Sequence, residues 1–176
     1  TITSTSPDVM GDNTTPVQFS TILRNEGLLN DVYNINLSIS APAGWIGEYT
    51  TVNGTFPFGT MDSVQVAAGD STQISVSINP SSINGFGLTT LEYTSKNDPG
   101  TSGNIIFRNI TDAGVELLVV DASNEGYGDL IFNSLESIYS GTFGIISRDA
   151  ITAITDLTGF EIVAWSAGIT TPVFTT

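Results

Sequence analysis

The sequence predicts a two-part fold, an all-β sandwich followed by a partial α/β segment with a parallel sheet. Three observations predict it. Between residues 17 and 112, short alternating apolar segments are separated by polar turns, the pattern of a β-sandwich. At Val115 the pattern changes to the continuous apolar run Val115-Glu116-Leu117-Leu118-Val119-Val120, as expected of a parallel strand buried on both faces. Apolar residues then recur at helical spacing and two further apolar runs follow, giving β-α-β-(α)-β, the opening half of a doubly wound sheet.

Taken in order, residues 1–16 are a Thr/Ser/Asn/Pro-rich lead-in, expected as a linker from an upstream domain. The sandwich is expected over 17–112. Its first strand runs from Val17 to Leu23 and closes at Arg24-Asn25-Glu26-Gly27. A second alternates from Val32 to Ile39 and stops at Ala41-Pro42-Ala43-Gly44. Val64-Gln65-Val66 precedes the turn Ala68-Gly69-Asp70-Ser71. From Thr72 to Ile78 the alternation is clean and puts Ile74, Val76 and Ile78 on one face. Leu88–Thr94 and Gly103–Ile110 complete the set. The α/β segment is expected over 113–176. Its helix carries Leu130, Ile131, Leu135, Ile138 and Tyr139, with Gly141 as the stop. A short strand is expected at Phe143–Ile146, a short helix at Asp149–Ile154 and a buried strand at Phe160–Trp165. Three parallel strands are only part of such a sheet, so the segment is expected to be incomplete and the chain to be a processed or excised piece, cut short at its C-terminus.

Composition narrows the function. Of 176 residues, 40% are hydrophobic, enough for a core, and only 12% are charged. Eighteen acidic residues face four basic ones, Arg24, Lys96, Arg108 and Arg148, for a net charge of -14. No basic cluster is available to displace counterions, so nucleic acid is excluded as a partner, as are anionic membrane surfaces. With no Cys there are no disulfides, thiolate metal sites or Cys nucleophiles. With no His, a Ser-His-Asp triad cannot form within this chain. No apolar run is long enough for a transmembrane helix. Low charge, few lysines and abundant Thr, Ser and Asn fit an extracellular or cell-surface bacterial protein.

Several groups of residues are candidates for chemistry. Asp121, Glu125 and Asp129 lie around the carboxyl end of the first parallel strand, where open α/β sheets bind ligands. As carboxylates they suit a hard cation such as Ca²⁺, although no cofactor is required. The simpler alternative is that Asp121 shapes the loop while Asp129 favours the helix N-terminus. Gly126-Tyr127-Gly128 is neither a dinucleotide fingerprint nor a P-loop. Ala164-Trp165-Ser166-Ala167-Gly168 has the outline of a nucleophile elbow, but no helix pattern follows and no His activates Ser166. Asp62, Asp70, Asn97, Asp98 and Gly100 read as turn residues. Trp45, Tyr49, Phe56 and Phe58 are expected in the core, with a sugar-stacking platform as the alternative. Asn13, Asn36, Asn53 and Asn109 occupy N-x-[ST] sequons. Ser63 and Ser71, in Asp62-Ser63-Val64 and Asp70-Ser71-Thr72, stand in short O-glycosylation-like patterns.

Two resemblances add to this. Leu23-Arg24-Asn25-Glu26-Gly27, Ser40-Ala41-Pro42-Ala43-Gly44-Trp45 and Val66-Ala67-Ala68-Gly69-Asp70-Ser71 resemble, in order and spacing, the motifs of bacterial immunoglobulin-like domains of the CARDB or NPCBM-associated type. That resemblance implies an immunoglobulin-like fold acting as a spacer. Leu117-Leu118-Val119-Val120-Asp121 and Phe160-Glu161-Ile162-Val163-Ala164-Trp165-Ser166-Ala167-Gly168 are similar to the strands of a flavodoxin-like module in multidomain surface proteins of the Bacteroidetes/Chlorobi group. In that module a second acidic residue follows the first strand, and here Ala122 replaces it.

The function expected is therefore non-catalytic: a structural or adhesive part of a secreted or cell-surface multidomain bacterial protein. Its expected partners are other domains of the same polypeptide or neighbouring subunits. The alternatives are an accessory region of a secreted hydrolase, a peptidase, whose catalytic domain lies elsewhere, and a subunit of an extracellular filament completed by neighbouring chains.

Overall fold

A computed structural model describes residues 1–4, 6–123, 126–152 and 155–167. Ten strands precede the apolar run: β1 (Ile2–Ser4), β2 (Asp8–Gly11), β3 (Val17–Arg24), β4 (Asp31–Ser40), β5 (Ile46–Thr51), β6 (Gly54–Pro57), β7 (Asp62–Val66), β8 (Ser71–Asn79), β9 (Phe86–Ser95) and β10 (Ser102–Thr111). They form two five-stranded sheets, ordered β1-β3-β8-β5-β6 and β2-β10-β9-β4-β7. Within the first, β1, β3, β8 and β5 occupy the A, B, E and D places of an immunoglobulin fold; within the second, β4, β9 and β10 occupy C, F and G. Residues 2–111 therefore form an immunoglobulin-like sandwich, augmented by β2, β6 and β7.

The alternation in the sequence explains the core. Ile74, Val76 and Ile78 of β8 are fully buried and meet Leu37, Leu91 and Phe107 of the opposite sheet within one cluster. Phe19 packs on Phe107 with ring centroids 4.6 Å apart. Trp45 lies in this core and its indole N–H donates to Ile83 O at 2.9 Å; Tyr49 is fully buried, and its hydroxyl donates to Ile35 O and Thr60 O. These two rings are thus committed to packing, leaving no stacking platform built on them.

The lead-in expected as a linker instead carries β1 and β2. β1 pairs antiparallel with β3, and β2 pairs parallel with β10. Neither strand is long enough to show a period of its own, so their partners' ladders define them. β5 and β6 are also silent in the sequence; Tyr49 and Thr51 of β5 face inward while Glu48 and Thr50 face water.

The remaining elements are β11 (Leu117–Asp121), α1 (Tyr127–Ile138), β12 (Phe143–Ser147), a 3-10 turn (Arg148–Ala150) and β13 (Ile162–Ser166). The three strands are all parallel, in the order β12-β11-β13. As expected of a strand buried on both faces, Leu117 to Val120 of β11 are buried without alternation. One face, from Leu117, Val119 and Ile145, receives Ile131, Phe132 and Leu135 of α1 and Tyr139 just after it. The other, from Leu118, Val120 and Ile146, is covered by Ile151, Leu157 and Phe160 of the connection to β13. The helix expected at Asp149–Ile154 is a single 3-10 turn, Ala153 and Ile154 lying outside the described residues. β13 starts two residues later than expected because Phe160 turns inward to cap the core.

The two parts meet along β12. Gly144 sits so close to the sandwich that an added Cβ would lie 2.9 Å from Ile110 Cδ1 and from the Phe86 ring. β10 therefore works on two faces. Ile105 and Phe107 point into the sandwich, while Ile110, with Met10 of β2, points into the core of the parallel sheet.

Candidate functional site

The carboxyl ends of β11, β12 and β13 converge where a ligand of an open parallel sheet would bind. Asp121, Ser147 and Ser166 are register partners there. Asp121 Oδ1 accepts from the Ser123 backbone N–H at 2.9 Å and from its hydroxyl at 2.7 Å. Ser123 Oγ in turn accepts the N–H of Tyr127, the first residue of α1, at 3.0 Å. This relay replaces the missing cap, because Gly126 at the N-cap has no side chain and holds φ at 74°. Gly128 presses its α-carbon against the Asp121 side chain, where a Cβ would overlap Asp121 Cβ and Cγ.

Asp129 points the other way. Its Oδ1 accepts from Arg108 Nη2 at 2.9 Å, tying α1 to β10. Arg108 Nη1 lies 3.5 Å from Asp8 Oδ2, and the same carboxylate oxygen accepts from the Ser147 N–H at 2.6 Å. Asp8 is buried, and its Oδ1 has no hydrogen-bond partner among the described residues. Burial pushes the Asp8 carboxyl above the usual carboxylate range, with the Asp129 charge adding to the rise; Arg108 and the Ser147 N–H offset part of it. Beside the Arg108–Asp129 pair lies a shallow depression of about 290 Å³ floored by Leu88, Ile106, Phe132 and Ile145. Among the described residues its lining holds one carboxylate, Asp129, which is paired with Arg108, and no Ser, Thr, Tyr or Lys.

Asp121 and Asp129 are thus neighbours in sequence that serve different contacts, and Glu125 lies outside the described residues. Among the described residues, no group of three or more His, Cys, Asp or Glu is placed to hold a metal ion. Ser166 is only 4% exposed, whereas an elbow serine presents its hydroxyl at the surface. The sandwich carboxylates are occupied locally. Asp62 accepts from Thr51 and Asn53, Asp70 from the Ser71 N–H, and Asp98 from Gly100 and Thr101.

The glycosylation candidates separate by exposure. Asn109 is 2% exposed and faces the sandwich interior, its Nδ2 without a partner among the described residues, so the folded chain hides it. Asn13 and Asn36 are half-buried, and Asn13 Nδ2 donates to Asn84 Oδ1. Asn53 is exposed but spends its Nδ2 on Asp62 and Ser63 O. Ser63 is half-buried and donates to Asn34, and Ser71 is exposed.

Sequence reasoning did not single out Asp8. Its signal was slight, one carboxylate in a polar lead-in, and its importance comes from pairing with Arg108 across 100 residues.

No protein-family model matches the sequence, and no curated protein matches it. Solved structures of similar shape include the N-terminal domain of PorA, with 13% identity over 60% of this chain and 87% of that one, TM-score 0.46. Others are the human CEP192 ASH/PapD-like domain (13% identity, 62% of this chain, 82% of that one, TM-score 0.38) and the periplasmic chaperone SfaE (8%, 68%, 66%, TM-score 0.40). The assignment of the sandwich rests on its own strand order rather than on these likenesses.

Proposed function

We propose that this chain is a non-catalytic structural or adhesive part of a secreted or cell-surface multidomain bacterial protein. One observation carries the reading. The polar side chains around the carboxyl end of the parallel sheet are engaged in holding structure together. Asp121 organises the loop into α1, while Asp8, Arg108 and Asp129 join sandwich, helix and sheet. The absence of His and Cys from the sequence supports the same reading. No described helix is long and apolar enough to cross a membrane.

On this proposal, residues 17–112, extended by β1 and β2, form a spacer domain of the CARDB or NPCBM-associated type. Residues 113–176 form the opening part of a flavodoxin-like sheet. The order β12-β11-β13, second-first-third, supports the latter. Protease shaving of intact producing cells tests the location. The chain is expected to disappear from the cell fraction while a cytoplasmic marker survives; persistence of the chain contradicts a surface role. Asp129→Asn tests the use of the site. It is expected to lower the free energy of unfolding slightly, by no more than about 1 kcal/mol for so exposed a pair.

A further inference from the structure

The flank of α1 that faces the sandwich does not close against it. Asp129 reaches Arg108 of β10, and Phe132 meets Phe86 of β9 with ring centroids 5.7 Å apart. Beside these ties a cleft of about 390 Å³ stays open between helix and sandwich. Ala41, Pro42 and Phe86 line it from the sandwich, Phe132 and Glu136 from α1, and Phe143 from β12. It adjoins the depression beside Arg108, with which it shares Leu88 and Phe132. Its volume is that of a small-ligand site, and the junction of two packed parts is a common place for one.

The chemistry of this cleft is aromatic and anionic. Phe86, Phe132 and Phe143 are each half-buried, so none is fully used up in a core. Phe132 lies 5.0 Å from Phe143, and the successive rings are tilted by 61° and 55°, which makes angled walls rather than a stack. Glu136 stands one helical turn after Phe132, on the same flank of α1. It is exposed and, among the described residues, makes no hydrogen bond or ion pair. No Lys or Arg lines the cleft, and Arg108 in the adjoining depression is held by Asp8 and Asp129. A free carboxylate beside aromatic rings attracts a cation, by its charge and by the quadrupoles of the rings. Hydrogen-bond acceptors, in contrast, are already engaged. Pro42 O takes the Trp45 N–H, Gly85 O takes the Thr111 N–H, and Thr142 O takes the N–H groups of Glu116 and Leu117. The cleft therefore suits a cation with no N–H to satisfy.

We propose that this cleft binds a small, free quaternary ammonium compound, its trimethylammonium group set against Phe86, Phe132 and Phe143 and beside Glu136. A primary ammonium is disfavoured, because it would give up hydrating water without acceptors to replace it. The phosphocholine headgroup of a lipid is disfavoured too, since its phosphate would come near Glu136 on a chain of net charge -14.

Titration with choline, followed by NMR, tests the site. Choline is expected to bind saturably, with an affinity of about millimolar order, and to shift the ring signals of Phe86, Phe132 and Phe143. Its uncharged isostere, with carbon in place of the nitrogen, and ethanolamine, with a primary ammonium, are each expected to bind about tenfold more weakly. Glu136→Gln is expected to weaken choline binding about fourfold at low salt, an effect that shrinks as salt is added. Glu136 is exposed, so this replacement preserves the fold. Phe132→Leu keeps an apolar side chain but removes a ring, and is expected to weaken binding about threefold or more. Glu48→Gln, an exposed carboxylate of β5 in the opposite sheet, is expected to leave it unchanged. Equal binding of the carbon isostere, equal binding by Glu136→Gln, shifts confined to residues outside the cleft, or sedimentation of the chain with phosphatidylcholine vesicles would each overturn the proposal.

Discussion

Asn25 shows how one buried amide fixes a turn. It closes β3, is 2% exposed, donates to Leu29 O at 2.8 Å and Val66 O at 3.1 Å, and accepts the Gly27 N–H at 2.9 Å. Asn25→Ala removes three bonds and is expected to cost about 2–4 kcal/mol in chemical denaturation. Asp8 makes a prediction of opposite character. Its folded pKa is raised, chiefly by burial, so its ionised form is a cost to the folded state. The contribution of this group is fully present below the unfolded value near 3.8 and is lost as pH rises through the folded value. Asp8→Asn should therefore gain stability relative to the wild type as pH goes from 4 to 7, measured as a difference in melting temperature. Arg108→Gln should do the reverse. It leaves a buried carboxylate unpaired, so its penalty should be largest at neutral pH and shrink on acidification. A penalty for Arg108→Gln that does not change with pH would show that Asp8 is not its partner.

At the scale of elements, β11 is the keystone of the parallel sheet. Leu118 is fully buried against Ile110, Ile146 and Phe160, and Leu118→Ala is expected to cost about 2–5 kcal/mol, read as a lowered denaturation midpoint. Elements of this kind were legible. β8 and β11 declare themselves because each is long enough for its burial pattern to show, alternating in one and continuous in the other. α1 was legible as a helix but not in its orientation. The sequence grouped Leu130 and Ile138 with Ile131 and Leu135, yet only the latter pair packs on the sheet. A stripe of apolar residues wider than the sheet beneath it does not say which edge is left bare. β1 and β2 were not legible at all, since three or four residues carry no period and their pairing with β3 and β10 is decided by partners far along the chain. For the same reason Asp8 was invisible as a site residue, whereas Asp121, at the end of an apolar run, was conspicuous and proved to be the organiser of a loop.

At the scale of the whole molecule, the sandwich and the parallel sheet are expected to unfold as one cooperative structure. The joint is built from packing of Ile110, Met10 and Phe86 around β12, with Asp8, Arg108 and Asp129 above it. Burial of a shared apolar surface makes it unfavourable for either part to open alone. A net charge of -14 opposes compactness throughout, so added salt is expected to raise the melting temperature of both parts together. The two tryptophans divide the molecule usefully, Trp45 in the sandwich core and Trp165 in the sheet cluster. The most direct measurement is denaturant unfolding of Trp45→Phe and Trp165→Phe, each followed by its remaining tryptophan and by far-UV circular dichroism. Within each variant the fluorescence and dichroism transitions are expected to coincide. If instead Trp165 reports a transition well before the dichroism of the sandwich is lost, the two parts fold independently, and the joint at Asp8, Arg108 and Asp129 does not hold them as one.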